Sequence, residues 1–175
     1  AGYTIAIRVI VFAILPAWGM ANAAATLVGQ NLGAGHPERA EKSVWRTSFF
    51  NLIFLAIVTL LFFSLANPIL HLFTTDPDVL RNGIQCLKIV SLGYIFYAYG
   101  MVVGQSFNGA GDTRTPTIIS FFGFWIFQIP LAYALANWLG AGTSGVFSAI
   151  PIAESLMAVV SIIIFRQGKW KTIKI

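Results

Sequence analysis

The sequence predicts an all-α protein, a polytopic bundle of five membrane-spanning helices. Three observations carry that prediction. Hydrophobic residues make up 57% of the 175 positions and charged residues only 10%, against about 25% charged in an ordinary soluble domain. So short a chain cannot hide that much apolar surface from water, which makes lipid its solvent. The few charges also punctuate long uncharged runs, at 9–35, 47–75, 89–111, 115–153 and 155–165. Lipid forbids open sheet edges, and these runs are too long and continuous for barrel strands. Finally, one phrase is written twice, GQNLGAGHPERA at 29–40 and GQSFNGAGDTRTP at 104–116.

A span needs about 20 residues. The first two runs give helices over roughly 4–32 and 44–70. The third gives one over 80–108. The stretch 115–165 is too long for one crossing, and it breaks at NWLGAGTSG, residues 137–145, where glycine clusters interrupt the aliphatic pattern. That leaves helices over 116–137 and 145–166. Pro16, Pro130 and Pro151 fall inside these helices and Pro68 near an end, where each removes a backbone donor and can bend its helix.

Five crossings place the two ends on opposite sides. One side collects Arg39, Lys42, Arg46, Arg114, Arg166, Lys169, Lys171 and Lys174; the other has Arg81, with Arg8 and Lys88 a turn or two inside helices. The positive-inside rule makes the first side cytoplasmic. The expected location is the cell (inner) membrane, with a cytoplasmic C-terminus. An external start without an initiator Met predicts at least one further helix upstream. The net charge is +5, but the basic residues are scattered among apolar runs, which argues against a nucleic-acid partner. Cys86 is the single cysteine, so neither an internal disulfide nor a cysteine metal cluster is expected. No cofactor is expected.

The repeated phrase falls twice at the cytoplasmic end of an inward-running helix. Gly33 and Gly35, like Gly109 and Gly111, suit the positive φ that ends a helix. Pro37 suits a first helical position. Asp112 or Thr113 can cap the following helix, which Pro116 opens. Gly29 and Gly104 are small enough for close helix approach. Gln30 and Gln105 stand where an amide can cap carbonyls, and Gln105 is also a candidate cavity residue. The phrase has no Walker lysine-serine pair and no preceding strand, so it is a turn rather than a nucleotide cradle.

GQNLGAGHPERAEKS after an apolar helix, NGAGDTRTPT some 75 residues on, PLAYAL in the next helix and a closing FRQGKWK together resemble the multidrug and toxic compound extrusion (MATE) family. The order and spacing match the last five helices of a twelve-helix transporter. The resemblance therefore implies that residues 1–175 are a partial C-terminal lobe, without the N-terminal lobe of the same chain and without this lobe's first helix. It also exposes a departure. NorM-like members carry an acid in the third of these helices, fifteen positions before the loop aspartate. Counting back from Asp112 gives Tyr97 here, so the resemblance implies coupling either through an acid of the missing N-terminal lobe or through Glu154.

Ionisable groups inside lipid are costly and tend to face a cavity or a partner. Glu154, near the middle of the last helix, is the candidate for a cation or proton pathway. Its structural alternative is a carboxylate tied to donors on a neighbouring helix. Arg8 and Lys88 are long enough to snorkel to the interface. Asn22, Tyr94, Tyr97, Tyr99, Gln105 and Gln128 are the candidate substrate-cavity residues, the tyrosines as aromatic walls for a cationic compound. Gly19, Asn22, Thr26 and Gly29 share one small helix face. So do Gly93, Tyr97, Gly100 and Gly104. Such faces suit tight packing or a cavity wall.

The resemblance implies a cation-coupled antiporter, driven by sodium or protons, that exports amphiphilic or cationic organic compounds by alternating access. The alternatives are a lipid-linked-precursor flippase of the same superfamily, for which Arg8 is the one candidate cation, and an integral membrane enzyme. His36 and His71 lie towards opposite membrane faces and cannot form one catalytic site. No catalytic residue and no metal site is assigned.

Overall fold

The computed structural model describes residues 2–172; Ala1 and Lys174 of the basic tail lie outside the described residues. Six helices follow one another: α1 (Gly2–Gly33), α2 (Pro37–His71), α3 (Pro77–Leu92), α4 (Tyr94–Gly109), α5 (Arg114–Trp138) and α6 (Gly142–Arg166). A short 3-10 turn, Lys169–Thr172, closes the chain. Four helices are each long and apolar enough to cross a membrane, and α3 with α4 passes the same test as a pair bent by 58°. Among the described residues there is no strand. Large apolar side chains such as Phe12, Leu60 and Trp125 stand exposed around the rim, as a lipid-facing surface requires.

The bend corrects the expectation of one helix over 80–108. Its cause is Gly93, a poor helix former. A Cβ at this position would come within 2.6 Å of Pro151 Cβ and 2.9 Å of its Cα. Only glycine lets α6 approach so closely, and the helix turns there. Side chains from α2 reach backbone carbonyls on both sides of the bend. Thr59 Oγ1, which shares its hydrogen between Leu55 O at 2.8 Å and Ser91 O at 3.1 Å, reaches the first side of the bend, and Asn51 Nδ2 donates to Ala98 O at 3.0 Å. In a span without water, such donors keep carbonyls satisfied. The start of α3 lies earlier than expected, because Asp76 Oδ1 accepts from Asp78 N and Val79 N and Pro77 opens the helix.

The two copies of the repeated phrase fold alike, bond for bond. His36 N donates to Asn31 O at 2.8 Å, and Asp112 N to Phe107 O at 2.9 Å. Gly35 N donates to Leu32 O, and Gly111 N to Asn108 O. These are the long and short bonds of a left-handed helix end. Gly35 (φ 75°) and Gly111 (φ 80°) take the positive angle. Gly33 and Gly109 do not, contrary to expectation; they are the last residues of α1 and α4. Gly109 has a different task. A Cβ there would strike the Ala25 backbone, and one on Gly29 would come within 3.1 Å of Gly109 O. Helices α1 and α4 therefore cross at glycine. Asp112 rather than Thr113 caps α5, accepting from Thr115 N at 3.0 Å and Thr115 Oγ1 at 2.6 Å. The helix opens at Arg114, so Pro116 lies in its first turn.

Helix α4 is central and packs against α1, α2 and α6, whereas α5 leans mainly on α6. Pro16, Pro68 and Pro151 sit inside unbroken helices. Pro130 is different. It cannot donate to the preceding turn, and α5 widens to π-helix at Phe122–Gln128 and again at Ala134–Trp138. Turns at Gly140 (φ 66°) and Gly142 (φ 53°) separate α5 from α6.

One end of the bundle gathers the last turns of α1, α4 and α6 and the first turn of α2. Phe165 is the hub. It meets Phe107 and Trp45 edge-on, at 5.7 and 5.6 Å between centroids, and stacks on Trp170 at 4.5 Å. Trp170 is fully buried and its Nε1 donates to Phe165 O at 2.9 Å. Lys171 pairs with Glu41, which also accepts from Trp45 Nε1 at 3.2 Å. The basic residues Arg39, Lys42, Arg46, Arg114, Arg166, Lys169 and Lys171 all fall on segments of this end.

Candidate functional site: two cavities sharing Tyr97 and Glu154

Two cavities open beside α4. The first, about 310 Å³, lies between α4, α5 and α6 and touches α1 at Trp18; Tyr97, Gly104, Gln105, Ser120 and Glu154 are among its walls. The second, about 210 Å³, lies between α1, α4 and α6, and is apolar except at Tyr94, Tyr97 and Glu154. Tyr97 and Glu154 are the residues common to both.

The local sequence explains the opening. Gly100 packs so tightly on α6 that a Cβ would lie 2.7 Å from Ala158 Cβ. One turn on, a Cβ at Gly104 would meet nothing within 4 Å. The expected close approach at Gly104 is thus absent, and the missing side chain becomes part of the first cavity. Glycine at 93 and 100 closes α4 onto α6, and Tyr97 and Glu154 stand between these two pinches.

Among the described residues Glu154 is the one acid in either lining. Among the described residues none forms an ion pair or hydrogen bond with its carboxylate. The next residue, Ser155, bonds Pro151 O in its own helix instead. The donors that a purely structural carboxylate needs are therefore not provided by the described neighbours. An acid held so in a lipid-embedded bundle can take up a proton or offer oxygen ligands to a small cation. The neighbouring aromatic faces of Tyr97 and Trp18 suit an organic cation.

The other expected residues divide. Gln105 lines the first cavity, with its Oε1 accepting from Asn108 Nδ2 at 2.9 Å. Tyr94 lines the second; its ring packs on Phe62, and its hydroxyl is buried without a partner among the described residues. Tyr99 belongs to neither. Two residues from Tyr97 it is turned to the far side of the helix, where it meets Trp45 at 6.4 Å. Gln128 also lies outside both linings, with its Oε1 buried and unpaired among the described residues. Asn22 is exposed on α1, and its carbonyl accepts from Thr26 Oγ1. Of the small α1 face, Gly29 packs, but Gly19 has nothing within 4 Å. Gln30 is exposed. Arg8 is exposed and lines neither cavity. Sequence reasoning missed Trp18, Met157 and Ser161. The last two lie three and seven residues after Glu154, on its own helix face, so helical periodicity counted from that acid finds them.

The family model MatE matches residues 1–134. The chain belongs to the MatE family. Among curated relatives it is similar to the probable multidrug resistance protein NorM of Thermotoga maritima, 27% identical over 171 residues, covering 98% of this chain and 37% of that protein. Two solved structures share the fold. An outward-facing conformation of a multidrug resistance MATE family transporter of the MOP superfamily superposes with a TM-score of 0.89 at 22% identity, over 95% of this chain and 38% of that one. An inward-facing conformation superposes at 0.87 and 22%, over 93% and 38%. The chain thus spans little more than a third of the length of these MatE relatives.

Proposed function

We propose that this MatE chain supplies the last five helices, in the C-terminal lobe, of a multi-pass antiporter in the cell (inner) membrane, its basic end and C-terminus cytoplasmic. The transporter exports amphiphilic or cationic organic compounds, driven by sodium or protons, by alternating access. One observation carries this reading. Glu154, unpaired among the described residues, is shared by two cavities between packed helices. Binding of a cation or proton there shifts the balance between cavity states, which is how a gradient drives a conformational cycle. The similarity to both inward- and outward-facing structures supports a lobe that keeps its fold through that cycle. The alternative, a flippase for anionic lipid-linked precursors, calls for a cation-lined groove at the transport site; among the described residues neither of these two cavities has an Arg or Lys in its lining, and a basic cleft between α1 and α2 lies apart from them.

The test uses the whole transporter that carries this segment, produced in cells lacking other dye exporters. Cells should exclude a cationic dye while energised and admit it after an ionophore collapses the gradients. Export that continues undiminished after that collapse would contradict the coupled mechanism.

A further inference from the structure

A third cleft, about 420 Å³, lies away from this site between the end of α1 and the start of α2. It is lined by Arg39, Lys42, Arg46 and Thr47 of α2, with Leu27 and Asn31 of α1 opposite. The three cations are exposed, and none forms an ion pair among the described residues. Of the nearby acids, Glu41 is occupied by Lys171 and Trp45 on another face. Glu38 stands one turn before Lys42 and forms no ion pair with it among the described residues.

Reading along the same face gives the second half of the pattern. After Arg46 come Phe50, Ile53 and Ile57, stepping by three and four. All three are exposed, and Phe50 also lines the cleft. A concentrated positive charge thus caps an apolar stripe that no described residue covers. Half a hydrocarbon core of about 30 Å corresponds to roughly ten helical residues, which from Arg46 reaches as far as Ile57. The surface has the shape and polarity of a single membrane amphiphile.

We propose that this cleft binds the headgroup of an anionic phospholipid, with Arg39, Lys42 and Arg46 on the phosphate and the acyl chains along Phe50, Ile53 and Ile57. The site is separate from Tyr97 and Glu154; it requires that α2 crosses the bilayer and that the rest of the whole transporter leaves Phe50, Ile53 and Ile57 open to lipid. A free phosphate would satisfy the cations but leave the stripe without a role. A lipid uses both.

The experiment is native mass spectrometry of the whole transporter, delipidated and then offered phosphatidylglycerol, phosphatidylcholine or inorganic phosphate. Wild type should retain phosphatidylglycerol over phosphatidylcholine by about tenfold or more, since each basic residue near the surface strengthens the attraction to anionic lipid. The combined Arg39→Gln, Lys42→Gln, Arg46→Gln variant should lose that preference while melting at the wild-type temperature. The single Arg46→Gln variant should show an intermediate loss, which keeps the test decisive if the triple variant misfolds. Equal retention of the two lipids by wild type would overturn the proposal, as would an unchanged preference in both variants. Displacement of the lipid by millimolar inorganic phosphate would make this a free-anion site and overturn it too.

Discussion

Gly93 of α4's entry and Pro151 of α6 touch so closely that no side chain fits between them: a Cβ on Gly93 would lie 2.6 Å from Pro151 Cβ. This contact bends the α3–α4 span and closes one side of the cavity that holds Tyr97 and Glu154. Gly93→Ala should therefore destabilise the bundle by about 1–3 kcal/mol, the usual effect of overpacking. Gly104→Ala, which has nothing within 4 Å, should be tolerated. Thermal unfolding of the two variants in one detergent checks this; equal melting temperatures would show that the bend does not depend on the contact.

The bend was not legible in the sequence, whereas the long apolar helices were. Charge-free runs report length directly, and the doubled glycine phrase reports where helices turn. Whether Gly93 bends a helix or merely packs in it depends on Pro151, 58 residues away in the chain, and no local pattern encodes that meeting. The same limit separates the tyrosines. Tyr97 and Tyr99 read alike as aromatic residues, yet a two-residue step sends one to the cavity and the other to Trp45. Glu154 was legible because an acid in an apolar helix is conspicuous on its own.

At the bend, the single hydroxyl hydrogen of Thr59 on α2 lies between two acceptors, Leu55 O of its own helix at 2.8 Å and Ser91 O at 3.1 Å. Thr59→Val keeps the volume and removes the donor, leaving a part-buried carbonyl less well satisfied. The expected cost is about 1–3 kcal/mol. Amide hydrogen exchange at 93–97 should quicken in the variant if the bond holds the bend in place. Unchanged protection would mean that packing alone does so.

At the basic end, Trp170 is fully buried, stacked on Phe165 and bonded to its carbonyl. Trp170→Ala should cost about 3–5 kcal/mol, as expected when a large aromatic leaves a packed site. The half-exposed pair of Lys171 and Glu41 should matter far less, with Lys171→Gln costing under about 1 kcal/mol. Comparing the two melting temperatures decides whether the tail is held by aromatic packing or by charge.

Gly35 and Gly111 take the same positive φ in matching turns. Alanine at either position should cost about 1 kcal/mol, because a side chain disfavours the left-handed conformation. Gly33→Ala should be close to neutral, since Gly33 is helical with open space around it. Expression level and melting temperature of the three variants read this out, and a Gly33 variant as damaged as the other two would refute the assignment of the turns.

Glu154 carries the functional account, and its replacement tests that account most directly. The whole transporter with Glu154→Gln, reconstituted in vesicles, should bind a cationic dye and melt as wild type does, because no described neighbour depends on the carboxylate. Its gradient-driven dye transport should drop to the level seen in ionophore-treated wild-type vesicles. Full gradient-driven transport by the Gln variant would contradict the claim that this carboxylate couples the gradient to export.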